Sequence, residues 1–245
     1  MTNYPRIMPA GDCAVVVEFS NEINEKINNI IKNYVNNLKE KKINGINEIV
    51  PTFRSVLVQY DPRFVQYETL LDVLREVLDM PRKEEEQTRR IVEIPVCYEG
   101  EYAPDIEYVA EHAGLSVNEV IQIHSSKEYL IYMLGFQPGF PYLGGLDERL
   151  FTPRLAVPRI KLRAGSVGIG GEQTGLYPLE SPGGWQLIGT TPVKAYNPKK
   201  ENPIPYEAGD YIKFTPISLE EFKEIEELEK KEQYVFRIYQ EQESR

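Results

Sequence analysis

The chain has 245 residues, 41% hydrophobic and 27% charged, the balance of a folded globular protein long enough for one large domain or two ordinary ones. Its formal net charge of -10 repels phosphate backbones and argues against nucleic-acid binding. No apolar run approaches the ~20 residues that span a bilayer, and residues 1–9 lack the apolar core of a signal peptide, so no membrane association and a cytoplasmic location are expected.

Residues 12–19 are a short apolar run suited to a strand. Residues 21–41 place Ile23, Ile27, Ile30, Ile31, Tyr34, Val35 and Leu38 at helical spacing, with Ser20 as the expected N-cap. Residues 46–50 and 55–60 are β-branched runs on either side of Pro51-Thr52-Phe53-Arg54, a hairpin signal. Residues 67–78 return to helical spacing through Leu70, Leu71, Leu74 and Leu78. With residues 91–96 as a last strand, this order is that of a βαββαβ, ferredoxin-like unit. Residues 81–90 are charged and almost free of apolar side chains, which predicts a linker. The expected organisation is therefore a first domain over 1–90, ending in that linker, a second over 91–230 and an extension over 231–245.

Beyond the linker, residues 91–98 read as a strand and residues 105–113 and 117–124 as two short helices. Ser116 and Glu119 fit a capping box before the second of these. Residues 129–136 are a strand candidate. Residues 135–189 hold most of the glycines and many prolines, which excludes a helical bundle and suits short strands with tight turns in a barrel or sandwich. Later strands are expected at 194–196 and 211–214. Ser218 should cap a final helix through Leu228, and residues 235–239 form a further strand or an ordered arm. Cys13 and Cys97 sit among apolar neighbours and read as buried thiols, and no Cys/His cluster has zinc spacing, so no metal is expected.

Several segments carry chemistry. Gly165-Ser166-Val167-Gly168-Ile169-Gly170-Gly171 invites a phosphate-loop reading, but no Gly-Lys-Ser/Thr follows and the dinucleotide spacing fails at Gln173, so tight turns are the better reading. Residues 135–146, with Phe136, Phe140 and Tyr142 among glycines and prolines, line an apolar cleft or form a rigid loop on the core. His124, ending a helix, is an acid–base group or a satisfied structural residue. Arg154, Arg159, Lys161 and Arg163 are a basic run that clamps an anion or forms a solvated strand face. Gln173, Thr174, Tyr177 and Trp185 lie among glycines, where polar side chains often face a cleft, although the tryptophan reads first as a core anchor.

Taken in order, Ile94-Pro95-Val96-Cys97-Tyr98, His124, Gly135-Phe136-x-Pro138-Gly139-Phe140-x-Tyr142-Leu143, Pro153-Arg154, Pro158-Arg159, Ala164-Gly165-Ser166-Val167, Gln173-Thr174-Gly175-x-Tyr177-Pro178 and Ser181-Pro182-Gly183-Gly184-Trp185 resemble the KipI/PxpB family, also called allophanate hydrolase subunit 1. The resemblance implies an α+β protein with a ferredoxin-like N-terminal domain and a cyclophilin-like β-barrel C-terminal domain. It implies the PxpB component of an ATP-dependent 5-oxoprolinase, which opens 5-oxoproline to glutamate together with PxpC-like and PxpA-like subunits. Alternatives within the family are an inhibitor of a sporulation histidine kinase and a component of an allophanate- or urea-degrading enzyme. ATP, with Mg, is expected at a partner interface. The candidate catalytic residues are His124 and Gln173. Arg154, Arg159, Ser166, Thr174 and Tyr177 are the candidate anion cleft, lined by Phe136, Phe140, Tyr142 and Trp185. The family usually has proline at Arg163 and arginine at Thr190. If that arginine holds an anion, Arg163 is the side chain to replace it.

Overall fold

The computed structural model describes residues 4–81 and 88–242. These residues are α+β, and the chain divides into two units, Met1–Glu86 and Gln87–Arg245. Most of the predicted linker, residues 82–87, lies outside the described residues, and residues 88–90 already belong to a strand.

The first unit runs β1 (Arg6–Pro9), β2 (Ala14–Glu18), α1 (Glu25–Glu40), β3 (Ile46–Pro51), β4 (Ser55–Tyr60) and α2 (Tyr67–Asp79). Its antiparallel sheet has the order β1-β2-β4-β3. Alternation along β2 and β4 buries Val15, Val17, Val56 and Val58 against Ile31, Leu38, Leu70 and Leu74 of the two helices. Because β4 lies between β2 and β3, β2-α1-β3 is a split βαβ. Sequence order predicts a last strand from residues 91–96, but here the strand beside β2 is β1, which arrives from the N-terminal side as a hairpin. The helix start also differs from expectation. Asn24, extended at φ -157°, accepts the Ile27 N–H at 3.0 Å, whereas the Ser20 hydroxyl accepts from Glu22 in a local turn. Cys13 falls in the β1-β2 turn and is exposed, contrary to its apolar flanks; Cys97 is buried, and both are free thiols.

The second unit comprises β5 (Thr88–Val96), α3 (Ile106–Ala113), α4 (Val117–Ser126), β6 (Glu128–Leu134), β7 (Pro141–Gly144), β8 (Arg159–Leu162), β9 (Ser166–Gly170), β10 (Gln173–Leu176), β11 (Ser181–Gly183), β12 (Gln186–Thr190), β13 (Tyr211–Pro216), α5 (Leu219–Lys230) and β14 (Ile238–Gln242). Residues 91–96 are therefore the body of β5, which pairs in parallel with β13 and antiparallel with β14. The five-stranded sheet has the order β14-β5-β13-β6-β7; β10-β9-β12 and β11-β8 form two smaller sheets. Among the described residues these sheets do not close into a barrel. A single bridge from Cys97, just after β5, to Thr190 of β12 links the five-stranded sheet to the three-stranded one, and Thr152 in the β7-β8 connection bridges to Gly171. Residues 194–196 are not a strand, because Pro192 and Pro198 bracket them and Asn197 turns the chain back onto the Pro203 carbonyl. The predicted capping box forms at Ser116 with Glu119, and Ser218, expected as a cap, also forms one with Glu221. The core of this unit packs α4 onto β13 of the larger sheet and α3 onto α4 and β12, through Val109, Val120, Tyr129, Ile131, Ile188, Ile212 and Phe214.

Candidate functional site

The glycine-rich segment packs its aromatic residues into one cluster. Phe140, Tyr177 and Trp185 meet edge to face, with ring centroids 5.4 to 5.9 Å apart, and Leu162, Leu187 and Tyr142 complete the cluster. Glycines make the packing possible. A Cβ on Gly170 would lie 2.2 Å from Trp185 Cδ1, and one on Gly175 would lie 3.2 Å from Trp185 Cζ3, so the indole rests directly on the backbone of β9 and β10. Gly170→Ala should therefore push the indole out of place and destabilise this unit by about 1–3 kcal/mol, the usual range for overpacking. A denaturant titration followed by fluorescence of Trp185, the sole tryptophan, measures it; an unchanged midpoint would show that the ring adapts freely.

Arg154 stands over this floor. Its guanidinium carbon is 5.8 Å from the Trp185 ring centroid, and it has no carboxylate partner among the described residues. Tyr177 lies close enough to feel its charge: burial pushes the phenol up to about 12, and Arg154 pulls against that. Phe136 is 64% exposed, held at φ +63°, and touches Phe140 at a centroid distance of 5.4 Å. Two buried acceptors nearby in the chain, Gln137 Oε1 on the Phe136–Phe140 loop and Ser181 Oγ on β11, have no hydrogen-bond partner among the described residues. The arrangement is a buried aromatic cluster with exposed Phe136 and the unpaired Arg154 guanidinium at its surface.

His124 lies elsewhere, fully buried at the end of α4. Its Nδ1 is 2.8 Å from the Tyr98 hydroxyl and its Nε2 is 2.8 Å from Thr174 Oγ1. Since the Thr174 hydroxyl donates to the Gly168 carbonyl at 3.1 Å, it accepts from Nε2–H, and Nδ1 accepts from Tyr98. Phe214 stacks on the ring at 4.8 Å, and burial pushes the imidazole down to about 3. The histidine is thus neutral and saturated by protein groups. Thr174 and Gly175 are adjacent on β10 and face opposite sides of it, one meeting His124 and the other the indole. His124 and Thr174 accordingly hold the strand that carries the aromatic floor.

The remaining candidates divide between the two groups and the surface. Arg159 is committed to Asp105 at 2.7 Å and to the Trp185 carbonyl at 3.3 Å, while Asp105 also accepts the Leu187 N–H at 2.6 Å; this ties the start of α3 to β12. Ser166 is buried and donates to the Arg163 carbonyl at 2.7 Å. Gln173 is half-buried at the start of β10, beside Thr174. Arg163 pairs with Glu226 at 3.0 Å and lies over Tyr102 and Phe222, while the Thr190 hydroxyl donates to the Tyr102 carbonyl at 2.8 Å. The two residues that depart from the expected pattern thus converge on Tyr102. Sequence reasoning missed Gln137 and Ser181, although both stand inside the quoted motifs; their lack of a partner becomes visible once the loops are folded. Among the described residues no cluster of His, Cys, Asp and Glu is placed to hold a metal ion, and no helix is long and apolar enough to cross a membrane.

The chain has the sequence of a carboxyltransferase domain: the family model for its subdomains C and D matches residues 5–206. The chain is 43% identical over 237 residues to the B subunit of the Bacillus subtilis 5-oxoprolinase, covering 93% of this chain and 99% of that one. The solved protein TTHA0988 is 35% identical with a TM-score of 0.74 over 84% of this chain, which spans 40% of that longer protein. The Kluyveromyces lactis urea amidolyase superposes with a TM-score of 0.78 over 96% of this chain and 16% of its own length; at 23% identity this is a likeness of fold. The chain belongs to the carboxyltransferase-domain family, alongside proteins named as the B subunit of 5-oxoprolinase.

Proposed function

We propose that this chain is the B subunit of an ATP-dependent 5-oxoprolinase and helps convert 5-oxo-L-proline to L-glutamate together with PxpC-like and PxpA-like partners. The near full-length likeness to the Bacillus subtilis protein carries the reading. The site supports it. In this reading the flat five-membered lactam lies against the exposed Phe136 ring at the edge of the aromatic cluster, and Arg154 is the cation for its carboxylate. A lactam carbonyl is a poor electrophile. Transfer of the terminal phosphoryl group of ATP to its oxygen releases ADP and turns the carbon into one that water attacks. The ring C–N bond then breaks with a proton going to the nitrogen, and a second water releases phosphate from the resulting acyl phosphate to leave the side-chain carboxylate of glutamate. The phosphoryl transfer needs cations and oriented donors around the phosphoryl group. Arg154 and Gln173 supply part of that set, so the ATP and Mg contacts are completed by a partner protein. In this reading His124 is a positioning residue that fixes β10, while Arg154 and Gln173 face the reactants. The same reading gives the two units ferredoxin-like and cyclophilin-like layouts, in keeping with the split βαβ of the first and the short-stranded sheets of the second.

The chain alone should form no ADP in response to 5-oxoproline, and adding the partner subunits should start both ADP and glutamate production. Full turnover by the lone chain would overturn the shared-site reading. The fold likeness to urea amidolyase favours the urea-related alternative as a second reading; turnover of urea or allophanate, with none of 5-oxoproline, by the same mixture would select it.

A further inference from the structure

The second unit carries a cleft of about 650 Å3 whose lining includes neither the aromatic floor nor Arg154. That volume is within the roughly 300–1,000 Å3 typical of small-molecule sites. One wall is the loop between β12 and β13, with Lys194, Asn197 and Lys200; the other is the segment entering β14, with Tyr234 and Phe236. Arg90 of β5 lies on the lining as well.

The walls are held in place. Lys194 N–H donates to the buried Glu229 carboxylate at 3.2 Å, Asn197 N–H to the Pro203 carbonyl at 2.8 Å, and the Tyr206 hydroxyl to the Gly139 carbonyl at 2.6 Å. Arg90 pairs with Asp210 and donates to the Pro205 carbonyl at 3.0 Å. On the other side Glu93 N–H donates to the Arg237 carbonyl at 3.0 Å, fixing the segment just before β14.

The lining is cationic in an acidic protein. Arg90 is neutralised by Asp210; Lys194 and Lys200 face a single lining carboxylate, Glu207, and neither lysine has a carboxylate partner among the described residues. Tyr234 and Phe236 form an edge-to-face pair at 5.3 Å, an aromatic wall on which a flat ring can stack. Ammonium groups without partners recognise an oxyanion, and the aromatic pair recognises a planar ring.

We propose that this cleft binds a phosphorylated compound with a planar ring, of the size of a nucleoside monophosphate. Lys194 and Lys200 hold the phosphate, Asn197 and Asn202 add amide contacts, and the ring lies against Tyr234 and Phe236. The site is separate from the one that would hold 5-oxoproline.

The test is isothermal titration calorimetry of the full chain at low ionic strength with AMP, adenosine and inorganic phosphate as probes. AMP should bind saturably and at least about tenfold more tightly than adenosine or phosphate, because both halves of the ligand contribute. Lys194→Gln combined with Lys200→Gln should weaken AMP about tenfold or more and remove most of its salt dependence. Phe236→Leu should weaken AMP and leave phosphate unchanged. Arg154→Gln should change neither. Absence of saturable AMP binding, or AMP binding indifferent to the two lysines, would overturn the proposal; so would loss of AMP binding in Arg154→Gln, which would place the ligand at the aromatic floor and leave the oxoprolinase reading standing.

Discussion

Arg154→Gln should lower 5-oxoproline turnover by the reconstituted complex about 30- to 100-fold, the usual worth of a charge-assisted hydrogen bond to substrate. The residue is exposed, stacks on Trp185 and has no ion-pair partner among the described residues, so its removal strands no buried charge and the unfolding midpoint should stay put. If the guanidinium holds the ground-state carboxylate, the loss falls on KM; if it meets the phosphoryl group in the transition state, it falls on kcat. Arg154→Lys should recover little, since an ammonium neither forks onto a carboxylate nor stacks as a plane on the indole. Lys161, paired with Glu180 at 2.9 Å on the exposed face of β8, is the control: Lys161→Gln should leave turnover unchanged. Equal kinetics for wild type and Arg154→Gln would remove Arg154 from the site.

The second large effect is on stability in acid. Burial holds His124 neutral, at about 3 instead of the ordinary 6.5. The unfolded chain therefore binds a proton that the folded chain refuses, and stability rises with pH between those values. The contribution is complete above about pH 6.5 and is lost as pH falls towards 3. At 1.36 kcal/mol per pH unit, the loss from this group between pH 7 and 5 is about 2 kcal/mol. His124→Gln cannot take up that proton, so its urea midpoint, followed by Trp185 emission, should depend less on pH over this range, although it starts lower because Tyr98, Thr174 and Phe214 lose a fitted partner. The same steepness in both proteins would mean that other groups carry the acid response. In turnover assays near neutral pH, a positioning role predicts no ionisation from His124 in the rate profile.

What was legible in the sequence was what depends on near neighbours. The spacing of Leu70, Leu71 and Leu74 marks α2, and Ser116 with Glu119, and Ser218, mark two helix starts, because a cap is satisfied within three residues. Ser20 misled since a serine can close a local turn as readily as a helix, and Asn24 was better placed. The strand over 91–96 was visible, though not its start at Thr88 in the expected linker, and its sheet was not, because hydrophobic pattern says nothing about which distant strand becomes the neighbour. The site divided in the same way. Phe140 and Trp185 read from the sequence as cleft lining and Tyr177 as part of an anion cleft; the three are buried together in one aromatic cluster, a contact that pattern alone does not reveal. The basic run was not separable by eye: Arg159 is consumed by Asp105, 54 residues earlier, Arg163 by Glu226, 63 residues later, and Arg154 alone of the three arginines has no carboxylate among the described residues. His124 looked like chemistry because histidine often is; only its neighbours show a ring with both nitrogens satisfied.

The place of β5 between β13 and β14 bears on how the protein is made. Glu93 and Arg237, 144 residues apart, meet at the edge of this sheet, so an apolar strand synthesised early must wait for both its neighbours until almost all of these residues have left the ribosome. Pairing over such a separation is slow, and in the interval Ile91, Val92 and Ile94 present a bare strand to other nascent chains. Yield in a recombinant host should therefore depend on growth temperature and chaperone supply, and shortened versions that end before Ile238 should collect in inclusion bodies.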